Sequence, residues 1–258
     1  MSHGTPTDAG VRVDIVDDTV AWVTLDAPER RNAQSPATWT RLTEIGAALP
    51  ASVRVVVLRA EGTSFSAGLD RSILLGDGTP SLRSLAQLDD AALDMTIARY
   101  QEAFTWWARP DLITIAAVQG HAIGAGFQLA LACDLRVLAD DAKLQMKEVT
   151  LGLVPDLCGT KRLVDIVGYP VALEMCVTGR WVDARNALEL RLANLVVPRA
   201  DLQGAVDDLV AAVLASPPEA VRTAKELLIA ASSRTLDDQR AAERRAQAPL
   251  LRALARRA

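Results

Sequence analysis

One arrangement occurs twice in this chain: a short apolar run, then a loop of small residues, then a helical stretch. The first copy spans residues 53–75 and begins V-R-V-V-V-L-R, and the second spans residues 112–133 and begins L-I-T-I-A-A-V-Q. Short continuous apolar runs are typical of strands buried on both faces of a sheet. The recurrence therefore predicts an α/β fold in which buried strands empty into small-residue loops.

The rest of the chain divides into an α/β part and a helical part. Alternating apolar and polar residues predict a hairpin of 11–16 and 20–25, and helical spacing marks 36–49 and 91–108. We expect a disordered tail at 1–10, an α/β core at 11–200 and a helical region at 201–258. The three C-terminal helices would either cover the core or form an assembly surface.

Two local signals shape the expected C-terminal helices. Ser216-Pro217-Pro218-Glu219 has the pattern of a capping box with proline at the first helical position, and predicts a helix that continues to Ala231. Pro249 predicts a kink in a third, arginine-rich helix.

Composition excludes several classes of protein. The 258 residues are 50% hydrophobic with a net charge of −4, which suits one large core and disfavours a general nucleic-acid binder. No apolar run approaches the roughly 18–20 residues that span a bilayer, and the first residues lack a signal-peptide pattern. Three widely spaced cysteines and two histidines predict reduced thiols, no metal site and a cytoplasmic location.

The two small-residue loops admit two interpretations. They are tight turns, or their backbone N–H groups are aimed at one point and form an oxyanion hole. Gly120, Gly124 and Gly126 do not match the dinucleotide fingerprint, and no Walker motif is present. A Ser66–His121 dyad of a serine hydrolase is disfavoured, because His121 has no evident orienting acid.

Several segments, taken in order, resemble the crotonase (enoyl-CoA hydratase/isomerase) superfamily. The resemblance covers about residues 11–230 and is specific because the motifs follow one another at suitable spacing. The segments are A-P-E-R-R-N-A, V-V-V-L-R-A-E-G-T-S-F-S-A-G-L-D, I-T-I-A-A-V-Q-G-H-A-I-G-A-G-F-Q-L-A-L-A-C-D-L-R, K-E-V-T-L-G-L-V-P-D-L-C-G-T-K-R-L and A-V-R-T-A-K-E-L-L.

The resemblance implies a fold, an assembly and a substrate class. Members of the family are spirals of β-β-α units with a C-terminal helical trimerisation region, and they form homotrimers or dimers of trimers. They bind acyl-CoA thioesters and stabilise an enolate oxygen with two backbone N–H groups. In this chain the donors would be Leu69 and Ala125, and fixed donors at a developing oxyanion are worth roughly 3–4 kcal/mol each.

The resemblance also implies a path for CoA. Arg30 and Arg31 would supply positive charge for the CoA phosphates, although an arginine pair is also a common solvated surface feature. The turn-rich segment 71–95 would shape the acyl end of the pocket. The residues expected along the CoA path are Glu29, Arg30, Arg31, Ala33, Ala67 and Asp70.

Three residues occupy the acid/base positions that the resemblance implies: Gln128, Glu148 and Asp156. Hydratases of the family use two glutamates, and Gln128 stands at the position of one of them, where an amide can hold a water but cannot transfer a proton. Glu148 matches the other glutamate, and Asp156 matches an aspartate used by some isomerases. The alternatives are that Glu148 and Asp156 are exposed charges and that Asp156 is a helix N-cap.

These assignments favour double-bond isomerisation by Glu148 and Asp156 through an oxyanion-stabilised enolate. The alternatives are an enoyl-CoA hydratase with Gln128 in place of one glutamate, and a non-catalytic acyl-CoA-binding protein. Isomerisation calls for no metal and no nicotinamide cofactor. The sequence does not specify the acyl chain.

Overall fold

The computed structural model of the protein describes residues 9–76 and 80–256. Residues 1–8 of the expected tail lie outside the described residues. The strands are β1 (Val11–Val16), β2 (Val20–Leu25), β3 (Val55–Ala60), β4 (Ile113–Val118), β5 (His121–Ile123), β6 (Leu135–Ala139), β7 (Lys143–Gln145), β8 (Val182–Asp183) and β9 (Leu195–Val197).

Helices connect and cover these strands. They are α1 (Pro36–Ala48), α2 (Arg71–Leu75), α3 (Leu82–Leu85), α4 (Asp90–Thr105), α5 (Ala125–Ala132), α6 (Gly159–Val167), α7 (Tyr169–Thr178), α8 (Ala184–Glu189), α9 (Leu202–Ala215), α10 (Pro218–Ala231) and α11 (Leu236–Ala255). Short 3₁₀ turns occupy Pro28–Arg30, Trp106–Ala108, Glu148–Leu151 and Arg199–Asp201.

The strands form two sheets. The larger has the order β1-β2-β3-β4-β6-β9, and only its β1–β2 hairpin is antiparallel. The smaller has the order β5-β7-β8 and lies beyond the end of β4. Because β3 and β4 are parallel neighbours, the loops that follow them leave the sheet at the same edge.

The apolar runs form these strands because both faces of the large sheet are covered. One face of β3 packs into the main core, and the other packs against α9 through Val206 and Val210. The eight residues of α5 are all buried, which explains its lack of a polar face. Helix α5, which follows the loop after β4, therefore lies within the core.

The predicted elements are largely confirmed, with shifted boundaries and one correction. The hairpin is present as expected, while the segment after residue 70 contains the short helices α2 and α3. The capping box is wrong: Ser216 ends α9, and Pro217, which has no capping side chain, precedes α10. Pro249 lies inside α11 without ending it, because the carbonyl that loses its N–H partner belongs to exposed Arg245 and can be hydrated.

The C-terminal helices differ in what they contact. Helix α9 covers the sheet, whereas α10 and α11 pack mainly against each other. Lys225 attaches α10 to the core, because its buried ammonium donates to the Leu112 carbonyl at 2.6 Å and to Asp134 at 2.7 Å. A cavity of about 670 Å³ lies between α10 and α11.

The three cysteines are free thiols. Within residues 9–76 and 80–256, no helix combines the length and the apolar character that a bilayer crossing requires. The cytoplasmic location stays a prediction.

Candidate active site

The loops after β3 and β4 meet at the edge of the sheet. Ser66 pairs with the strand β5 segment, because its N–H donates to the His121 carbonyl at 2.9 Å and its carbonyl accepts from Ile123 at 3.0 Å. Phe65 donates to the Gln119 carbonyl at 2.8 Å in the same way. The two loops, residues 65–69 and 119–125, are therefore hydrogen-bonded into one unit, called the ledge below, rather than forming two separate turns.

Two backbone N–H groups on this ledge are free. Gln34 bonds to the residues on either side of Leu69, donating to Gly68 at 2.7 Å and accepting from Asp70 at 2.8 Å, so the Leu69 N–H points the other way. Ala125 is the first residue of α5, and the first N–H groups of a helix have no acceptor within it. In the described part of the chain, neither N–H has a hydrogen-bond acceptor.

Glycines let these two donors approach each other. Gly68 has a φ of +86°, and a Cβ at this position would lie 2.5 Å from the Ile123 carbonyl oxygen and 3.7 Å from the Ala125 nitrogen. Gly124 has a φ of +50° at the N-cap of α5. A larger residue at 68 would push the loops apart, so the close approach of the two loops requires a small residue at this position.

Ser66 holds the first loop in place, a role that the sequence did not reveal. Its buried hydroxyl donates to the Asn32 carbonyl at 2.7 Å and accepts from the Gly68 N–H at 3.2 Å. The hydroxyl is therefore committed to holding the loop. The His121 ring instead faces the Ser64 hydroxyl, at 3.4 Å, so a Ser66–His121 dyad is not formed.

Gln128 bridges three parts of the chain. Its side-chain Nε2 donates to Oε1 of Glu148 at 2.7 Å. Its Oε1 accepts from the backbone N–H groups of Leu157 at 3.0 Å and of Gly159 at 3.1 Å. Gln128 is only 1% exposed, so the amide is enclosed by protein.

The Glu148 carboxylate is held on one side only. Oε1 accepts from Gln128, while Oε2 is buried and has no hydrogen-bond partner among residues 9–76 and 80–256. A Cβ at Gly124 would lie 3.1 Å from Oε1, which places the carboxylate directly against the start of α5 and close to Ala125. Glu148 is therefore not a solvated surface charge, and the interpretation of it as one is wrong.

Burial raises the pKa of the Glu148 carboxyl group above its ordinary value, and the nearby charge of Asp156 raises it further. The hydrogen bond from Gln128 opposes this shift without cancelling it. Burial also raises the pKa of Asp156, although Asp156 is exposed as a whole residue. Both carboxyl groups thus hold a proton more readily than free side chains do.

Asp156 does not cap a helix. Cys158, in the left-handed conformation with a φ of 65°, occupies the N-cap position of α6. The Asp156 carbonyl accepts from Gln101 of α4 at 2.7 Å, which fixes the backbone of this loop. The alternative interpretation of Asp156 as an N-cap is therefore wrong.

The residues expected along the CoA path lie beside the oxyanion loop. Arg30 donates to Asp70 at 2.7 Å, and the Ala67 N–H donates to the Arg31 carbonyl at 2.8 Å. Asp70 also caps α2 through Ser72. Burial disfavours its charge, but the bonds from Ser72 and Arg30 outweigh this and lower the pKa of Asp70.

The other two residues of this set extend the same surface. Glu29 has 69% of its side chain exposed, and Ala33 is half-buried. Asn32 joins the segment to the oxyanion loop, because its amide donates to the carbonyls of Glu61 and Ser64, both at 2.9 Å. The expected CoA residues therefore form one strip beside the oxyanion loop, in which Glu29, Arg30 and Arg31 are exposed and Ala33, Ala67 and Asp70 are half-buried.

The sequence matches one described protein family over residues 16–256, and that family is enoyl-CoA hydratase/isomerase. The chain belongs to this family. It is a member of the crotonase superfamily, and its mixed α/β body with C-terminal helices is the crotonase-like fold.

Family members of known name include enzymes of two kinds. A Thermus thermophilus protein, provisionally named enoyl-CoA hydratase, is 35% identical over 221 residues, which cover 85% of this chain and 84% of that one. The mitochondrial Delta(3,5)-Delta(2,4)-dienoyl-CoA isomerase of Rattus norvegicus is 33% identical over 224 residues, which cover 85% of this chain and 68% of that one.

Solved structures of a family member from Thermobifida fusca YX, also provisionally named enoyl-CoA hydratase, include ligand complexes. The complex with CoA superposes with a TM-score of 0.90 at 49% identity, covering 96% of this chain and 95% of that one. The complex with acetoacetyl-CoA superposes with a TM-score of 0.89 at 50% identity, covering 95% of this chain and 98% of that one.

Proposed function

We propose that this enoyl-CoA hydratase/isomerase family member shifts the double bond of an unsaturated acyl-CoA thioester. The observation that carries the proposal is the hydrogen bond from Gln128 to Glu148. An amide takes the position beside Glu148, so the carboxyl groups left for proton transfer are those of Glu148 and Asp156. Both have raised pKa values.

The N–H groups of Leu69 and Ala125 would hold the thioester oxygen. Removal of a proton next to the thioester carbonyl moves negative charge onto this oxygen. Backbone donors that are already fixed stabilise that charge without reorganisation, by roughly 3–4 kcal/mol each. Two observations support this role. Neither N–H group has a hydrogen-bond acceptor in the described part of the chain, and glycine allows their loops to approach closely.

The reaction then needs two proton transfers. Oε2 of ionised Glu148 takes the proton from the carbon next to the thioester, and the electrons of that C–H bond form the enolate. Protonated Asp156 returns a proton to the far carbon of the former double bond, and the enolate collapses to the conjugated thioester. The substrate loses one proton and gains one, so no water, metal or nicotinamide enters the balance.

Hydration of a 2-enoyl thioester is the second candidate, and the Thermus relative's name favours it. Hydration requires a proton on carbon and a hydroxide from water. Gln128 cannot supply or accept a proton at any ordinary pH. Glu148 would have to perform both transfers, or share them with Asp156.

Binding of the CoA moiety is supported by the Thermobifida complexes and by the strip beside the ledge. Arg30 and Arg31 would face the phosphates, with Glu29, Ala33, Ala67 and Asp70 along the same path. We also propose a homotrimer or a dimer of trimers built through the last helices. The leucines exposed there support it: Leu228 and Leu236 are each 75% exposed and Leu254 is 66% exposed.

The test is a panel of 2-enoyl-, 3-enoyl- and 3,5-dienoyl-CoA thioesters of several chain lengths, assayed for turnover and, in parallel, for binding by calorimetry. We expect conversion of the 3-enoyl or 3,5-dienoyl substrates. Binding without turnover of any thioester would show a non-catalytic acyl-CoA-binding protein and contradict the proposal.

A further inference from the structure

The hydrogen-bond network fixes which way the Gln128 amide faces. Leu157 and Gly159 present backbone N–H donors, so the atom of Gln128 that meets them must be its oxygen. The NH₂ group therefore faces Glu148, and Oε1 of Glu148 must act as an acceptor. A proton on Glu148 then resides on Oε2.

Close contacts leave Gln128 no other position. A Cβ at Gly159 would lie 2.6 Å from Cγ of Gln128, and the whole of α5 around Gln128 is buried. Leu157 directly follows Asp156, and Gly159 begins α6, so the amide connects both proposed acid/base groups to helix α5.

We propose that Gln128 is a positioning residue: its amide fixes the Glu148 carboxylate with Oε2 as its proton-accepting oxygen, and ties it to the Asp156 loop. This inference rests on the proposed function and reassigns Gln128 from the catalytic set. Its side chain contacts Glu148 and backbone, not the substrate.

A glutamate at position 128 would change this arrangement in a defined way. Its carboxylate would accept from Leu157 and Gly159 and stay ionised, but it would present no donor to Glu148. Two acceptor oxygens at this separation share a proton, and the proton would reside on Glu148. The other titratable groups that interact with Glu148 are Asp156 and the Cys176 thiol of α7. Burial raises the pKa of Cys176, and the charge of Glu148 raises it further.

The first variant to test is Gln128→Glu, with Gln203→Glu, at an exposed position of α9, as the matched control. The control adds the same charge beside Arg59, away from Glu148. In Gln128→Glu we expect the acid limb of the kcat/KM profile for isomerisation to move up by about one pH unit or more, with KM within about twofold. The control should keep the wild-type profile.

A second variant leaves the amide in place and displaces it. Gly159→Ala puts a Cβ against Gln128, so we expect kcat to fall about tenfold to a hundredfold while KM changes little. Melting temperatures confirm that each variant folds. An unmoved acid limb in Gln128→Glu or wild-type kcat in Gly159→Ala would each overturn the proposal.

A titration that needs no turnover separates this inference from the proposed function. Carbon-13 NMR of labelled glutamate side chains, with Glu148→Gln to assign the signal, gives the midpoint for Glu148 in the wild type and in Gln128→Glu. A higher midpoint in Gln128→Glu supports the positioning role even if no thioester is isomerised. Equal midpoints overturn it, whatever the panel of substrates shows.

Discussion

Asp156 lies close enough to Glu148 for its negative charge to raise the pKa of the Glu148 carboxyl group. Burial is the larger cause of the same shift. A negative charge near a carboxyl group favours its protonated form. Double-bond migration needs one base and one acid in the same site, and these two carboxyl groups are the candidates for them.

Replacing Glu148 by glutamine should abolish most of the isomerase activity. The amide oxygen can still accept from Gln128, so the site keeps its shape but loses its base. We expect kcat to fall by about 10²-fold or more with acyl-CoA affinity unchanged, measured by initial rates and calorimetry. Glu44→Gln, in the exposed Arg41–Glu44 pair of α1, is the matched control. An unchanged rate in Glu148→Gln would end the assignment of Glu148 as the base.

The same substitution should raise stability in a pH-dependent way. Because the pKa of Glu148 is higher in the folded chain, the unfolded chain ionises first as pH rises, and the buried charge then destabilises the fold. Glu148→Gln should therefore melt at a higher temperature than the wild type at pH 7. The difference should vanish below about pH 4, where glutamate is protonated in both states. Calorimetric melting at the two pH values checks this, and a lower melting temperature at pH 7 is the contrary result.

Asp156→Asn should lower turnover and spare binding. Asp156 caps no helix, and its backbone contact with Gln101 does not involve the carboxylate. We expect kcat for isomerisation to fall about 10²-fold, with CoA affinity and melting temperature close to wild type. Asp165→Asn in α6, whose carboxylate pairs with Lys161 on the surface, is the control. Loss of CoA binding in Asp156→Asn would show a structural role instead.

Gly68→Ala should damage the oxyanion hole without touching an acid or base. The new methyl group would meet the Ile123 carbonyl and separate the loops that carry the N–H groups of Leu69 and Ala125. We expect kcat to fall about 10²-fold. Gly168→Ala, between α6 and α7, has a similar positive φ of +76° but nothing within 4 Å, so it controls for backbone strain alone. Equal rates in the two variants would exclude the proposed steric effect.

The sequence predicts the strands of the large sheet well because their apolar runs and their burial are the same signal. The sequence leaves open whether the loops after β3 and β4 are tight turns or act together, and the structure places them at one edge because β3 and β4 are parallel neighbours. Sequence reasoning fails at Ser216, because a capping pattern does not reveal that Ser216 already ends α9 and accepts from Arg54 through its carbonyl, at 2.7 Å.

The candidate site is less accessible to sequence reasoning because its contacts are distant along the chain. The residues that bind the Gln128 amide lie 29 and 31 positions away, and no local pattern announces them. In the sequence, Ser66 resembles a nucleophile, whereas in the structure its hydroxyl donates to the Asn32 carbonyl and holds the loop in place. Asn32 has a left-handed φ of 52°, a conformation that asparagine adopts more readily than most residues. The asparagine was therefore a weak sequence signal for its structural role.

The most direct test of isomerisation by Glu148 and Asp156 is a ratio measured on the wild-type protein. It divides kcat/KM for isomerising a 3-enoyl-CoA by kcat/KM for hydrating the 2-enoyl-CoA of the same chain length. Because Gln128 cannot transfer a proton while Glu148 and Asp156 can, we expect the ratio to exceed one for each chain length that the protein accepts. A ratio below one, with hydration as the faster reaction, would contradict the account.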